Sequence, residues 1–289
     1  MIYDTLIAPF ADFEFMRRAL AGTIALAFGA GPIGVFLMLR RMSLVGDAMA
    51  HAVLPGAAVG FLLSGLNLFA MAIGGLVAGF IVAVAAGLVA RSTELKEDAS
   101  LAAFFIISLA LGVTIVSVKG TNIDLLHFLF GTVLALDNQT LVLIAVNASV
   151  TLAGLAVIYR PLVLECVDPG FLRSVSGAGA PAHIAFLALL VINLVSGFHA
   201  LGTLLAVGIM ILPAVTARFW ARDITAMLAI AAGAGIVSGY AGLLVSYHSG
   251  VPSGPAVILV AGVLYAASLL FGRVGGLMWQ AFPGRHLEA

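Results

Sequence analysis

Asp47, His51 and Pro55 stand four residues apart within RRMSLVGDAMAHAVLPGAAVGFLL, the stretch from Arg40 to Leu63. Residues at that spacing share one face of a helix, with Cβ atoms about 6 Å apart. The stripe carries a carboxylate, an imidazole and a residue with no backbone donor, inside a run apolar enough to enter a membrane. A carboxylate at the bilayer centre costs about 2.5–3.5 kcal/mol on the insertion scale, so it usually faces a bundle interior or a water-filled path. Three uses fit the pair: a hydrogen bond holding two helices together, a proton relay, or a divalent cation shared between oxygen and nitrogen. Both ligand types suit Mn²⁺ and Zn²⁺, and no thiolate or thioether cluster favours Cu(I). Two ligands do not fill a metal shell, so others must come from another helix, water or a second copy of the chain. Pro55 frees a carbonyl one turn back, at His51, next to the same stripe.

The elements that must hold this stripe are membrane helices. Of 289 residues, 63% are hydrophobic and only 9% charged, where soluble domains carry about 25% charged residues. Apolar runs long enough to span a bilayer recur. Spans are expected at about 19–39, 44–65, 68–90, 99–118, 139–158, 183–200, 203–221, 224–247 and 255–271, with ends uncertain by a few residues. The fold class is therefore all-α, a polytopic helical membrane protein of about nine spans. Eight is the alternative, because no charge separates 183–200 from 203–221. Residues 1–18 form an N-terminal external segment, whose first fourteen residues read as an amphipathic surface helix. Residues 19–275 form one transmembrane domain and 276–289 a cytoplasmic tail.

Orientation follows from the bases. Arg40, Arg41, Arg91, Lys96, Arg160, Arg173, Arg218, Arg222, Arg273 and Arg285 fall on one side, against Arg17, Arg18 and Lys119 on the other. The first side is the cytoplasm. The segment 119–137 is external and too apolar for a simple loop. Net charge is zero, so no nucleic-acid partner is implied. The single cysteine, Cys166, reads as a small packing residue. No G-x-x-x-x-G-K-[ST] loop, H-E-x-x-H or G-x-S-x-G motif occurs, which argues against a Walker-type ATP site and against a membrane hydrolase.

The Arg40–Leu63 stretch resembles the signature of the zinc/manganese-type ABC transporter permeases, the membrane subunits of divalent-metal importers. LKEDASLAAFFIISLALGV (95–113), DLLHFLFGTVLALD (124–137), LGTLLAVGIMILPAVTARF (201–219) and LVSYHSGVPSGPAVILVAG (244–262) resemble further blocks of that family, in order. The resemblance implies a homodimer, a cytoplasmic ATP-binding subunit and an extracytoplasmic metal-binding protein, all at the bacterial cytoplasmic (inner) membrane. ATP hydrolysis then belongs to the partner subunit, and this chain is no enzyme. It also implies that Asp47 and His51 contact Mn²⁺ or Zn²⁺ in passage, as cargo rather than as a permanently bound cofactor. His127, three residues after Asp124, and His199 stand where relatives often carry Ser and Gln. Each adds a possible ligand, though surface solvation or an interfacial position explains them as simply. His183 and His286 fall on the cytoplasmic side and are expected to take no part.

The cytoplasmic loop 165–181 offers a contact for the ATPase. Asp168 reads as an N-cap and Pro169 as the first helical residue. Phe171, Leu172 and Val175 then gather on one side of a short helix, an apolar face that needs a cover. The resemblance implies that this is the coupling helix, with Gly170 where relatives more often carry an acid. The expected mechanism is alternating access. A secondary transporter driven by protons, carried on Asp47 and His51, is the rival reading.

Overall fold

The computed structural model describes residues 2–42, 44–65, 67–94, 97–118 and 136–278. Those residues are helical almost throughout. Two short helices, α1 (Ile2–Leu6) and α2 (Ala8–Asp12), precede the long α3 (Glu14–Leu39). Then come α4 (Val45–Ala52), α5 (Leu54–Ser64), α6 (Leu68–Ser92) and α7 (Glu97–Val118). Beyond residue 135 follow α8 (Asn138–Val167), α9 (Pro169–Val175), α10 (Gly179–Leu201), α11 (Thr203–Arg218), α12 (Ile224–Ser249) and α13 (Ser253–Phe271). Among the described residues, eight segments are long and apolar enough to cross a membrane, α4 and α5 together making one of them. The shorter α11 packs among them.

The N-terminal stretch expected as one amphipathic helix is two short helices broken at Ile7. They lie on the C-terminal end of α12. Tyr240 donates its hydroxyl to the Leu6 carbonyl at 2.9 Å, and the Phe10 and Tyr240 rings stack at 5.1 Å. The His248 ring meets the Thr5 carbonyl at 3.0 Å.

α3 is the central post. Every residue from Gly29 to Leu37 is buried, and α8, α11 and α12 pack around it. Small residues permit this closeness: a β-carbon on Gly34 would overlap the Met210 carbonyl of α11. The same device joins α5 to α6, where a β-carbon on Gly56 would overlap the Gly74 carbonyl and the reverse also holds. Between apolar helices in lipid, packing of this kind replaces the hydrophobic effect as the cohesive term.

The span expected at 139–158 runs on as α8 to Val167, with Pro161 inside it. A proline removes one helical hydrogen bond. Packing outweighs that loss here, because Leu162 is wholly buried and α8 packs on α10. The pair 183–200 and 203–221 proves to be two helices, α10 and α11. Gly202 divides them at φ +89°, a left-handed conformation that side chains with a β-carbon disfavour. The chain folds back so sharply that a β-carbon on Gly197 would lie 2.8 Å from that of Ala206.

Candidate functional site

The turn after α3 sets the position of Asp47. The Met42 amide donates to the Leu37 carbonyl at 2.8 Å and the Arg41 amide to Met38 at 3.0 Å. This is a Schellman-type helix end, and Arg41 occupies its left-handed position at φ 61°, where glycine is usual. Met42 is buried and the Val45 amide returns to its carbonyl at 3.0 Å. The chain thus reverses within four residues and re-enters the bundle as α4.

α4 lies deep. Gly46 fits against Met210, Val207 and Ile211 of α11. The Met49 side chain reaches Gly79 of α6, which also faces Val191 of α10, and both residues sit near the middle of their helices. Asp47 and His51 occupy the other face of α4. Asp47 is exposed in the single chain and His51 half-buried, its ring 6.1 Å from that of Phe105. Neither side chain makes a hydrogen bond among the described residues, so no Asp–His bond clamps this helix to another.

Pro55 shapes the far end. The helix expected to run unbroken over 44–65 divides at Val53 into α4 and α5. Pro55 has no amide to offer the His51 carbonyl, and the Val53 amide closes the last turn of α4 on the Met49 carbonyl at 3.3 Å. The neighbouring Ala52 carbonyl accepts the Ser108 hydroxyl of α7 at 2.8 Å. Gly112 lets α7 come close to the break, because a β-carbon there would sit 3.1 Å from the Pro55 nitrogen. The break is therefore built into the packing, directly above the stripe.

The other expected ligands fall outside the described residues. Asp124 and His127, with most of the external segment 119–137, lie outside the described residues, as does His286. His199 belongs to the last turn of α10, and its side chain is likewise outside them. Among the described residues no group of three His, Cys, Asp or Glu side chains converges. Among the described residues, α4 presents the Asp47 carboxylate and the His51 imidazole on one open face.

The loop helix forms as its sequence indicates. The Asp168 carboxylate accepts the Phe171 amide at 2.9 Å and Pro169 opens α9. Its apolar residues do not share one face, however. Leu172 is 3% exposed and rests on Gly179, whereas Phe171 is 52% and Val175 68% exposed. Leu172 anchors the helix to its own bundle and the other two point away.

His183, expected to be inert, is 2% exposed in the first turns of α10, and its Nδ1 meets Arg40 Nη2 at 2.6 Å. The partners are 143 residues apart in sequence. No local spacing could have signalled them.

Residues 12–272 match the model of the ABC 3 transport family. The chain is 33% identical over 288 residues to the manganese transport system membrane protein MntC of Halalkalibacterium halodurans, covering 99% of this chain and 96% of that one. It is 33% identical over 268 residues to the manganese import system permease protein ScaB of Streptococcus parasanguinis, covering 91% and 94%. Among solved structures, PsaBC from Streptococcus pneumoniae in complex with Fab superposes with a TM-score of 0.80 at 27% identity, covering 97% of this chain and all of that chain.

Proposed function

The chain belongs to the ABC 3 transport family, and from that membership we propose that its cargo is Mn²⁺, carried past Asp47 and His51 where two copies of the chain meet. The protein is a multi-pass permease subunit of the bacterial inner membrane, part of an ATP-driven importer for a divalent transition metal. An ATP-binding subunit and a substrate-binding protein work with it.

The observation that carries the proposal is the exposed Asp47 on a helix otherwise packed at mid-bundle. A carboxylate there facing lipid would be costly. A second copy presenting the same stripe converts the cost into a site, with two oxygens and two nitrogens around one ion. Carboxylate and imidazole suit Mn²⁺, and the two close relatives are named for manganese. An open four-ligand set completed by water holds the ion loosely enough to release it, as transit requires.

Energy enters through α9, between the end of α8 and the start of α10. Phe171 and Val175 on α9 form the apolar contact for the ATP-binding subunit, and Leu172 fixes that contact to the bundle. Vesicles holding the permease with its ATP-binding subunit and binding protein test the whole reading. Mn²⁺ should enter only with ATP, and excess unlabelled Mn²⁺ should compete better than Zn²⁺ or Fe²⁺. Uptake driven by a proton gradient with no ATP-binding subunit present would establish the secondary-transporter reading instead.

A further inference from the structure

Three stretches of chain converge on Arg40. The first is its own turn, which leads within seven residues to Asp47. The second is the end of α8, where Arg40 and Glu165 both lie within electrostatic reach of Cys166, just ahead of α9. The third is the start of α10, just after α9, where Arg40 Nη2 meets His183 Nδ1 at 2.6 Å and its guanidinium lies 5.6 Å over the Phe186 ring. A single cation thus contacts the segment that follows the proposed ATPase contact, lies within electrostatic reach of the segment that precedes it, and stands at the root of the turn into the proposed metal helix.

The chemistry of the pair is restrictive. A guanidinium only donates, so Nδ1 must accept, and the ring is neutral with its proton on Nε2. On that side α6 closes in, because a β-carbon on Gly87 would stand 3.1 Å from Nε2. Phe186 is wholly buried beneath the cation and its ring meets Phe36 of α3 edge-on at 6.2 Å. The imidazole has little room to turn, and a charge-assisted hydrogen bond in a low-dielectric setting is among the stronger contacts a protein makes. Beside it, the Arg41, Met42 and Val45 amides donate backbone hydrogen bonds of 2.8–3.0 Å that hold the start of α4 to the end of α3.

We propose that the Arg40–His183 hydrogen bond is a positioning link: it passes a displacement of α9 through the head of α10 to the α3–α4 turn, and so moves Asp47 and His51 when the ATP-binding subunit moves. Neither residue touches the ion or the nucleotide. Both set where the metal helix stands for a given position of the coupling helix. The link rests on the reading of α9 as the ATPase contact.

The test uses the assembled complex in vesicles, with Mn²⁺ uptake and ATP hydrolysis read on the same preparation. Losing a hydrogen bond to a charged partner is worth roughly tenfold or more in an equilibrium it controls. His183→Ala should therefore cut ions moved per ATP by about tenfold, with hydrolysis within about twofold of wild type. His183→Asn, whose amide oxygen can replace Nδ1 as acceptor, should restore the ratio. Arg40→Lys keeps the charge but not the planar fork, and should lower the ratio even if His183→Ala fails to assemble. Uptake and hydrolysis falling in proportion, or Asn doing no better than Ala in well-assembled complexes, would overturn the link. Phe171→Ala separates the two ideas: if that change alters neither activity, α9 is not the ATPase contact, whatever the His183 ratio shows.

Discussion

A carboxylate on the open face of a deeply packed helix needs a counterpart, and at Asp47 the single chain supplies none among its described residues. Asp47 and His51 were legible in the sequence because helical spacing alone puts them on one face. Their companions were not. Arg40 and His183 meet only after α3 and α10 pack, and the Ser108 hydroxyl finds the Ala52 carbonyl across 56 residues. That second bond is testable by itself. Ser108→Ala leaves a carbonyl at the helix break with no donor and should cost about 1–3 kcal/mol of stability, while Ser108→Thr keeps most of it. Thermal melting in detergent reads both. Arg41, left-handed at φ 61°, makes the opposite prediction. Arg41→Gly relieves a conformation worth about 1 kcal/mol to a residue with a β-carbon and should raise the melting temperature. An unchanged or lowered melting temperature would mean that the Arg41 side chain contributes more than its backbone loses.

Helices exchange backbone shape for closeness. α5 and α6 meet where Gly56 and Gly74 face one another, with no space for a methyl group on either. Gly74→Ala should therefore separate the pair and cost roughly 1–3 kcal/mol, seen as loss of folded permease at equal expression. At α9, burial divides two neighbouring residues by role. Leu172→Ala opens a cavity and should cost about 2–4 kcal/mol, lowering the melting temperature. Phe171→Ala should leave melting within about 0.5 kcal/mol of wild type, as exposed changes do, yet weaken binding of the ATP-binding subunit. A large fall in stability from Phe171→Ala would place that ring inside the bundle. The sequence announced α9 through its Asp-Pro cap, because capping is local chemistry. It could not say that Leu172 turns inward, because the 3.6-residue period leaves adjacent positions about 100° apart and only the surrounding bundle decides which one is covered. For the same reason the extension of α8 past Pro161 was hidden: proline marks a weak point, and distant packing determines whether the helix ends there.

Across the whole molecule the pattern is a central post, α3, with apolar helices around it and a broken helix, α4–α5, at mid-depth. Hydropathy made the spans readable, since lipid punishes every other arrangement of backbone. Hydropathy could not show that α4 stops at Val53 or that α10 folds back on α11 through one glycine, since each depends on a single turn. Broken helices at membrane depth are tolerated where they line a cavity or are buried in protein, which suits a chain whose proposed ion-binding groups lie next to the break. The most direct measurement is Mn²⁺ uptake by vesicles containing the full complex, comparing wild type with Asp47→Ala and His51→Ala at equal permease content. Both variants should melt like wild type, because neither side chain makes a hydrogen bond among the described residues, and both should lose at least about tenfold in uptake, as losing a group that holds the ion implies. Uptake at the wild-type rate in either variant would contradict the passage of the ion past that residue.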